Sequence, residues 1–203
     1  MKQTALLLID YQMDYFAGGR MELVHPLQAT EKAGQLLDSF HNHCLPVFFL
    51  QHISLRPDAS FFLPETDGTA IHPLLQPTKN DTVLKKHYPN SFRETDLRKL
   101  LAEHGIKNLV LCGMMSHMCV DATVRAAFDY GFSCRLVHDA CATRDIVFGG
   151  RTISAADVHG AFMAALGSVY AEIMTTKEYM HALWNNGKNE DKNAPCFFLN
   201  CCK

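Results

Sequence analysis

The chain has no apolar run long enough to cross a bilayer. Its first apolar stretch, Ala5 to Ile9, is too short for the core of a secretory signal and stops at Asp10. None of its eight cysteines forms a Cys-x-x-Cys pair. Neither sign of charge dominates: 19 Lys and Arg stand against 21 Asp and Glu, for a formal net charge of -2. That balance argues against a dedicated nucleic-acid surface, and the short apolar runs argue against a membrane partner. With no leader and no cysteine framework, Cys44, Cys112, Cys119, Cys134, Cys141, Cys196, Cys201 and Cys202 are expected to be free thiols of a cytoplasmic protein, mostly filling its core. The Cys201-Cys202-Lys203 end is not a prenylation box, which needs its cysteine fourth from the end.

What is present is an ordinary globular composition, 48% hydrophobic over 203 residues. This is enough for one domain with a sizeable core, expected over residues 1–184. Residues 185–203 read as a tail, polar at first and then apolar at Cys196-Phe197-Phe198-Leu199, either disordered or packed at an oligomer contact.

Hydrophobic patterning gives the order of elements. Thr4–Ile9, Pro46–Leu50, Thr82–Leu84, Asn108–Cys112, Ser133–His138 and Ala171–Thr175 read as strands. Helices are expected at Leu27–His43, at Asp96–His104 behind a Thr95 cap, and at Met118–Tyr130, which is apolar nearly all round. Two more follow. One starts after Ser154 with a stripe of Ala155, Val158, Phe162, Ala165, Leu166 and Val169, and one runs from a Thr176 cap through Trp184. Gln51–Asp81 holds Pro57, Pro64, Pro73 and Pro77 and reads as a long loop, a lid or a pocket wall. Strands alternating with helices predict an α/β fold: a doubly wound, mostly parallel six-stranded sheet with helices on both faces. Sites in such sheets lie beyond the carboxyl ends of the strands.

Three reactive residue types fall at that edge. Asp10 ends the first strand, Lys85-Lys86 follows the third, and Cys119 follows the fourth where a helix begins. A helix start favours a thiolate, so Cys119 is a candidate nucleophile. Taken singly, each residue has an ordinary alternative: a turn aspartate, a solvated lysine, an inert core cysteine. Together they supply a base, a cation and a thiol, which is what nucleophilic acyl transfer needs. The turn before Cys119 adds N–H donors for an oxyanion.

Four blocks carry a family resemblance. They are Leu7-Leu8-Ile9-Asp10-Tyr11-Gln12-Met13-Asp14-Tyr15-Phe16, Lys86-His87-Tyr88-Pro89-Asn90-Ser91-Phe92, Gly113-Met114-Met115-Ser116-His117-Met118-Cys119-Val120-Asp121-Ala122-Thr123, and Asp139-Ala140-Cys141-Ala142-Thr143. In this order and spacing the chain resembles the isochorismatase-like cysteine hydrolases, which include nicotinamidases and related amidases, from about Ala5 to about Tyr179.

The resemblance implies a triad of Asp10 as base, Lys86 as cation and Cys119 as nucleophile. It implies a cis peptide at Met114–Met115 and an oxyanion hole from the N–H groups of Met115 and Cys119. Gln12, Phe16, His52, Phe61 and His117 are the candidate substrate contacts, with Phe62, His87, Phe92 and Phe148 as further pocket walls. Nicotinamidases carry a metal-binding Asp-x-His pair after the second strand; here Gln51-His52-Ile53-Ser54 stands there without the aspartate. No metal and no cofactor are therefore expected. The partners expected are a small-molecule substrate and, by resemblance, further copies of the chain.

The leading expectation is hydrolysis of a C–N bond in a small amide through a thioester. The alternatives are vinyl-ether hydrolysis of the isochorismate type and a non-catalytic thiol or redox protein on the same fold.

Overall fold

Two apolar runs make the centre of the fold. Thr4–Ile9 (β1) and Asn108–Gly113 (β4) lie side by side in parallel, Ile9 level with Gly113. Both faces of β1 are buried along its whole length, which is why its sequence shows no alternation. Val47–His52 (β2) and Thr82–Lys86 (β3) extend the sheet on one side, and Ser133–Val137 (β5) and Glu172–Met174 extend it on the other. The six strands are all parallel. The computed structural model describes residues 3–190, so the Cys196–Leu199 stretch and Cys201-Cys202 lie outside the described residues.

The chain winds outward from β1 in one direction and from β4 in the other, so the switch point lies between these two strands. Helix Pro26–Asn42 (α1) begins with proline at its first position and buries Ala29, Ala33, Leu36, Leu37 and Phe40. Leu97–Glu103 (α2) leads into β4, and Asp121–Asp129 (α3) links β4 to β5. Beyond β5 comes a short antiparallel hairpin, Ile146–Phe148 (β6) with Arg151–Ile153 (β7). Ala155–Gly167 (α4), the strand Glu172–Met174 (β8) and Thr176–Glu190 (α5) complete the described chain. α1 packs against α5 and α3 against α4, so helices cover the sheet on both faces. Among the described residues no helix is long and apolar enough to cross a membrane.

Several expectations shift. β3 runs two residues past Leu84, and its lysines close the strand: Lys85 points out and Lys86 is buried, as the two-residue strand period requires. Cys119 does not open an α-helix. It lies in one π-helical turn, Ser116–Val120, ahead of α3. α3 is two-sided rather than apolar all round, burying Thr123, Val124 and Ala127 while Phe128 is exposed. On α4 the buried residues are Ala155, Val158, Met163 and Leu166; Ala165 and Val169 face outward. α5 continues six residues beyond Trp184. The β6–β7 hairpin has no counterpart in the sequence reading, and Phe148 stands 80% exposed on it rather than in a pocket wall.

β1 and β4 meet tightly at the end that carries the chemistry. Gly113 has φ 151°, and a Cβ there would sit 2.3 Å from the Ile9 carbonyl oxygen. Gly113→Ala is therefore expected to destabilise the protein by at least about 2 kcal/mol. A urea unfolding midpoint equal to that of the parent chain would contradict this close approach.

Candidate active site

Strand register brings the reactive residues together. Ile9 pairs with Leu50 and Gly113, and His52 pairs with Lys86. Asp10 then leaves β1 in the left-handed region, at φ 56°. That conformation is costly for a residue with a side chain, by roughly 1–3 kcal/mol, and it persists only where surroundings enforce it. Here the enforcing contacts include Asp10 N–H to the Leu50 carbonyl (2.9 Å) and Gln12 N–H to the Asp10 carbonyl (2.9 Å).

The Asp10 carboxylate and the Lys86 ammonium lie 2.9 Å apart, both fully buried. Lys86 Nζ also donates to His52 Nδ1 (3.1 Å) and to the Tyr88 carbonyl (3.1 Å), with the Pro89 carbonyl at 3.5 Å. Thr123 on α3 holds that carbonyl-bearing segment: its Oγ1 bonds the Pro89 carbonyl (3.3 Å), Ser91 N–H (3.1 Å) and Ser91 Oγ (2.8 Å). The Lys86 ammonium is the hydrogen-bonding partner of the Asp10 carboxylate. Both charge and hydrogen bonding tie the carboxylate to Lys86, and a second proton donor stands beside it.

Cys119 is that neighbour. Its sulfur, an Asp10 oxygen and a His52 ring nitrogen lie within 4.8 Å of one another. Burial pushes the Cys119 thiol well above the ordinary range, Asp10 pushes it further, and Lys86 only partly offsets them. This direction runs against the thiolate that a helix start was expected to favour. Desolvation outweighs the dipole because the sulfur is buried one turn ahead of α3. For Lys86, burial pulls the ammonium down, but Asp10 and, to a smaller degree, Cys119 more than compensate, leaving it above the ordinary lysine value.

The Asp10, His52 and Cys119 donors are also the one group of described residues that could embrace a metal ion. The Lys86 ammonium already stands 2.9 Å from Asp10 and 3.1 Å from His52. A fixed cation among the donors does not fit a resident divalent ion.

The turn between β4 and Cys119 is held from outside. Met114 N–H bonds the Ile9 carbonyl (2.9 Å), and the Met114–Met115 peptide is cis. Ser116 N–H donates to the Ala142 carbonyl (3.0 Å), while Met118 and Val120 N–H groups donate to the Met115 carbonyl (3.0 and 3.3 Å).

The expected substrate contacts divide. Gln12 is not one of them: it is fully buried, its Nε2 donates to the His52 and Thr69 carbonyls (2.8 and 2.9 Å), and its Oε1 accepts from His52 N–H (2.6 Å). It clips the long loop to the end of β2. Asp14, missed in the sequence, pins the same loop, accepting from Phe62 N–H and from Arg20 N–H (3.2 Å). The loop is therefore a fastened wall rather than a free lid.

That wall brings Phe61 and Phe62 onto Tyr15, at ring separations of 5.8 and 4.6 Å, and Phe62 onto His52 at 5.8 Å. Tyr15 is a second missed residue, and burial raises its phenol strongly. Phe16 is buried and packs on His72 at 4.1 Å. His117 bonds Thr143 Oγ1 (2.6 Å) on the turn itself. Phe92 packs on Tyr130 and Phe132 instead of a pocket, and His87 bonds the Ile53 carbonyl (2.8 Å). Asp139 caps α5 by accepting from Thr176 N–H and Oγ1 (2.7 and 2.8 Å), while Cys112, Cys134 and Cys141 are buried.

Burial lowers the His52 pKa from 6.5 to about 4, with Lys86 acting in the same direction and Asp10 against both. Nδ1 accepts from Lys86, so the single proton of the neutral ring is on Nε2. Because the folded value lies below the unfolded one, stability is lost as pH falls from 6.5 towards 4. The loss attributable to His52 is roughly 2–3 kcal/mol. His52→Gln, which keeps an acceptor for Lys86, is expected to flatten this part of the profile in urea unfolding at pH 7 and pH 4.5. An unchanged difference between those two pH values would contradict the assignment.

With this geometry in hand, three comparisons place the chain. The family model described as "Isochorismatase domain" matches residues 4–178. The isochorismatase family protein YddQ of Bacillus subtilis is 50% identical over 177 residues, covering 87% of this chain and 98% of that one. Streptothricin hydrolase of Streptomyces noursei is 37% identical over 168 residues, covering 83% of this chain and 58% of its own length. A solved structure from Oleispira antarctica superposes with a TM-score of 0.85 at 46% identity, covering 89% of this chain and 97% of that one. The fold, the match across nearly all of the domain and these relatives agree: the chain belongs to the isochorismatase family, whose members are hydrolases.

Proposed function

We propose that the protein is a cysteine hydrolase that cleaves a C–N bond of a small amide through a thioester on Cys119, with Asp10 as the proton carrier and Lys86 as the fixed cation. The observation that carries this reading is the buried convergence of a thiol, a carboxylate and an ammonium: Lys86 stands 2.9 Å from Asp10, and the Cys119 sulfur lies within 4.8 Å of an Asp10 oxygen. Streptothricin hydrolase and Nicotinamidase 3 of Arabidopsis thaliana are among the relatives, which supports amide-type chemistry.

The cycle starts from neutral thiol and ionised Asp10. As sulfur attacks the substrate carbonyl carbon, its proton passes to Asp10, so no free thiolate has to exist beforehand. The carbonyl oxygen becomes an oxyanion, stabilised by the N–H groups of Met115 and Cys119. The protonated Asp10 then gives its proton to the leaving nitrogen, the C–N bond breaks, and an acyl thioester remains. Water attacks the thioester while Asp10 takes one water proton. The acid leaves, and that proton returns to sulfur. Lys86 holds the carboxylate in place throughout and lowers the energy of negative charge on either oxygen or sulfur. His52, neutral with Nε2–H available, and the Phe61–Tyr15 wall shape the acyl side of the site.

The test is ammonia or amine release from nicotinamide, benzamide, butyramide and streptothricin, followed by intact-mass analysis of the acid-quenched protein. Turnover of at least one amide is expected, with a trapped adduct equal to its acyl group. Cys119→Ala is expected to lose at least about 10³-fold in turnover and all of the adduct. An adduct that persists in Cys119→Ala would overturn the reading. Amide turnover that survives Cys119→Ala would overturn it equally.

A further inference from the structure

The turn that carries the oxyanion donors is fastened by a side chain from a distant helix. Ser116 starts that turn and is completely buried. Its Oγ lies 3.3 Å from the Ala142 carbonyl and 2.9 Å from Nδ1 of His159, on the first half of α4. Ala142 already brackets the segment: its N–H donates to Gly113 (3.3 Å) and its carbonyl accepts Ser116 N–H (3.0 Å). α4 is itself anchored there, through Ser154 Oγ accepting from Asp157 N–H (3.1 Å) and Asp145 accepting from Ala155 N–H (2.7 Å).

Counting protons orders these contacts. Burial, with His138 beside it at a ring separation of 5.9 Å, lowers the His159 pKa, so the ring carries one proton at neutral pH. Two contacts on Ser116 Oγ need two protons. Ser116 has one, and a carbonyl can only accept. Only a ring protonated on Nδ1 satisfies both contacts.

We propose that His159 is a positioning residue for the oxyanion turn: its Nδ1–H donates to Ser116 Oγ, whose O–H donates to the Ala142 carbonyl. This relay fixes where the N–H groups of Met115 and Cys119 point. His159 touches neither the sulfur nor the carboxylate. It acts on the stage in which charge develops on the carbonyl oxygen, where small displacements of donors have large effects. The inference rests on the cysteine-hydrolase reading above for its kinetic consequence, but not for its hydrogen-bond assignment.

The experiment has two arms. In the first, His159→Ala, Ser116→Ala, the double variant and His159→Asn are assayed on whichever amide of the panel the parent chain turns over fastest. His159→Ala is expected to lower kcat by about 10–100-fold with KM within about twofold. The double variant is expected to be no slower than the slower single one, because the two side chains form one link. His159→Asn, whose amide N–H can replace Nδ1–H, is expected to recover most of the loss. The rate of Cys119 alkylation by iodoacetamide is expected to stay unchanged in His159→Ala, since the proton acceptor and the cation lie elsewhere. A kcat within twofold of the parent, additive losses, equal losses in Ala and Asn, or a parallel fall in alkylation would each overturn the proposal.

In the second arm, ¹⁵N shifts of His159 at pH 7 are expected to show the Nδ1–H tautomer; the Nε2–H tautomer would overturn it. A parent chain that hydrolyses none of the amides would defeat the cysteine-hydrolase reading alone, and the tautomer arm would still decide this one.

Discussion

A lysine and an aspartate buried side by side constrain everything around them. Asp10 and Lys86 are both shut off from solvent at 2.9 Å. Removing both charges from water is expensive, and leaving either one alone inside would cost about 3–5 kcal/mol. The fold therefore has to deliver the two ends of β1 and β3 to the same point, across β2. It does so with parallel register, with the His52–Lys86 pairing and with backbone carbonyls from Tyr88 and Pro89 placed around the ammonium.

The chemistry follows from that pair. Burial keeps His52 neutral while Lys86 donates to its Nδ1, and the Asp10 carboxylate, paired with the same ammonium, stands beside the thiol. The thiol beside them stays protonated because burial and the carboxylate act together on it. A proton acceptor next to a neutral thiol differs from a stored thiolate. In the proposed cycle it would keep the sulfur unreactive until a carbonyl arrives and let one proton shuttle through every step. The loop beside the site is fastened by Gln12 and Asp14, which seats Phe61 and Phe62 against Tyr15 and Phe62 against His52.

How much of this was legible in the sequence varies with the physical cause. β1 and β4 could be read as buried strands because an uninterrupted apolar run has few other uses at that length. Lys86 could be separated from Lys85 by the family resemblance, and strand alternation gives the same answer once β3 is known to include both. The stripe expected on α4 was right at Ala155, Val158 and Leu166 and wrong at Ala165 and Val169, because a helix with so many small apolar residues carries a weak phase in its periodicity. The β6–β7 hairpin was missed because its residues are mostly exposed; only Gly149-Gly150 between its strands marks it. Gln12 was misread because nothing in the sequence shows that the His52 and Thr69 carbonyls converge on its amide. The place of Cys119 ahead of a helix could be read from the sequence, whereas the burial that raises its thiol could not.

The central claim is that Cys119 rests as a thiol beside an ionised Asp10, held by Lys86. The most direct measurement is the infrared difference spectrum between the parent chain and Cys119→Ala at pH 7, in the S–H stretching region. The expected result is an S–H band that belongs to Cys119 and disappears in the variant. A difference spectrum with no such band, showing Cys119 already ionised at rest, would contradict the account.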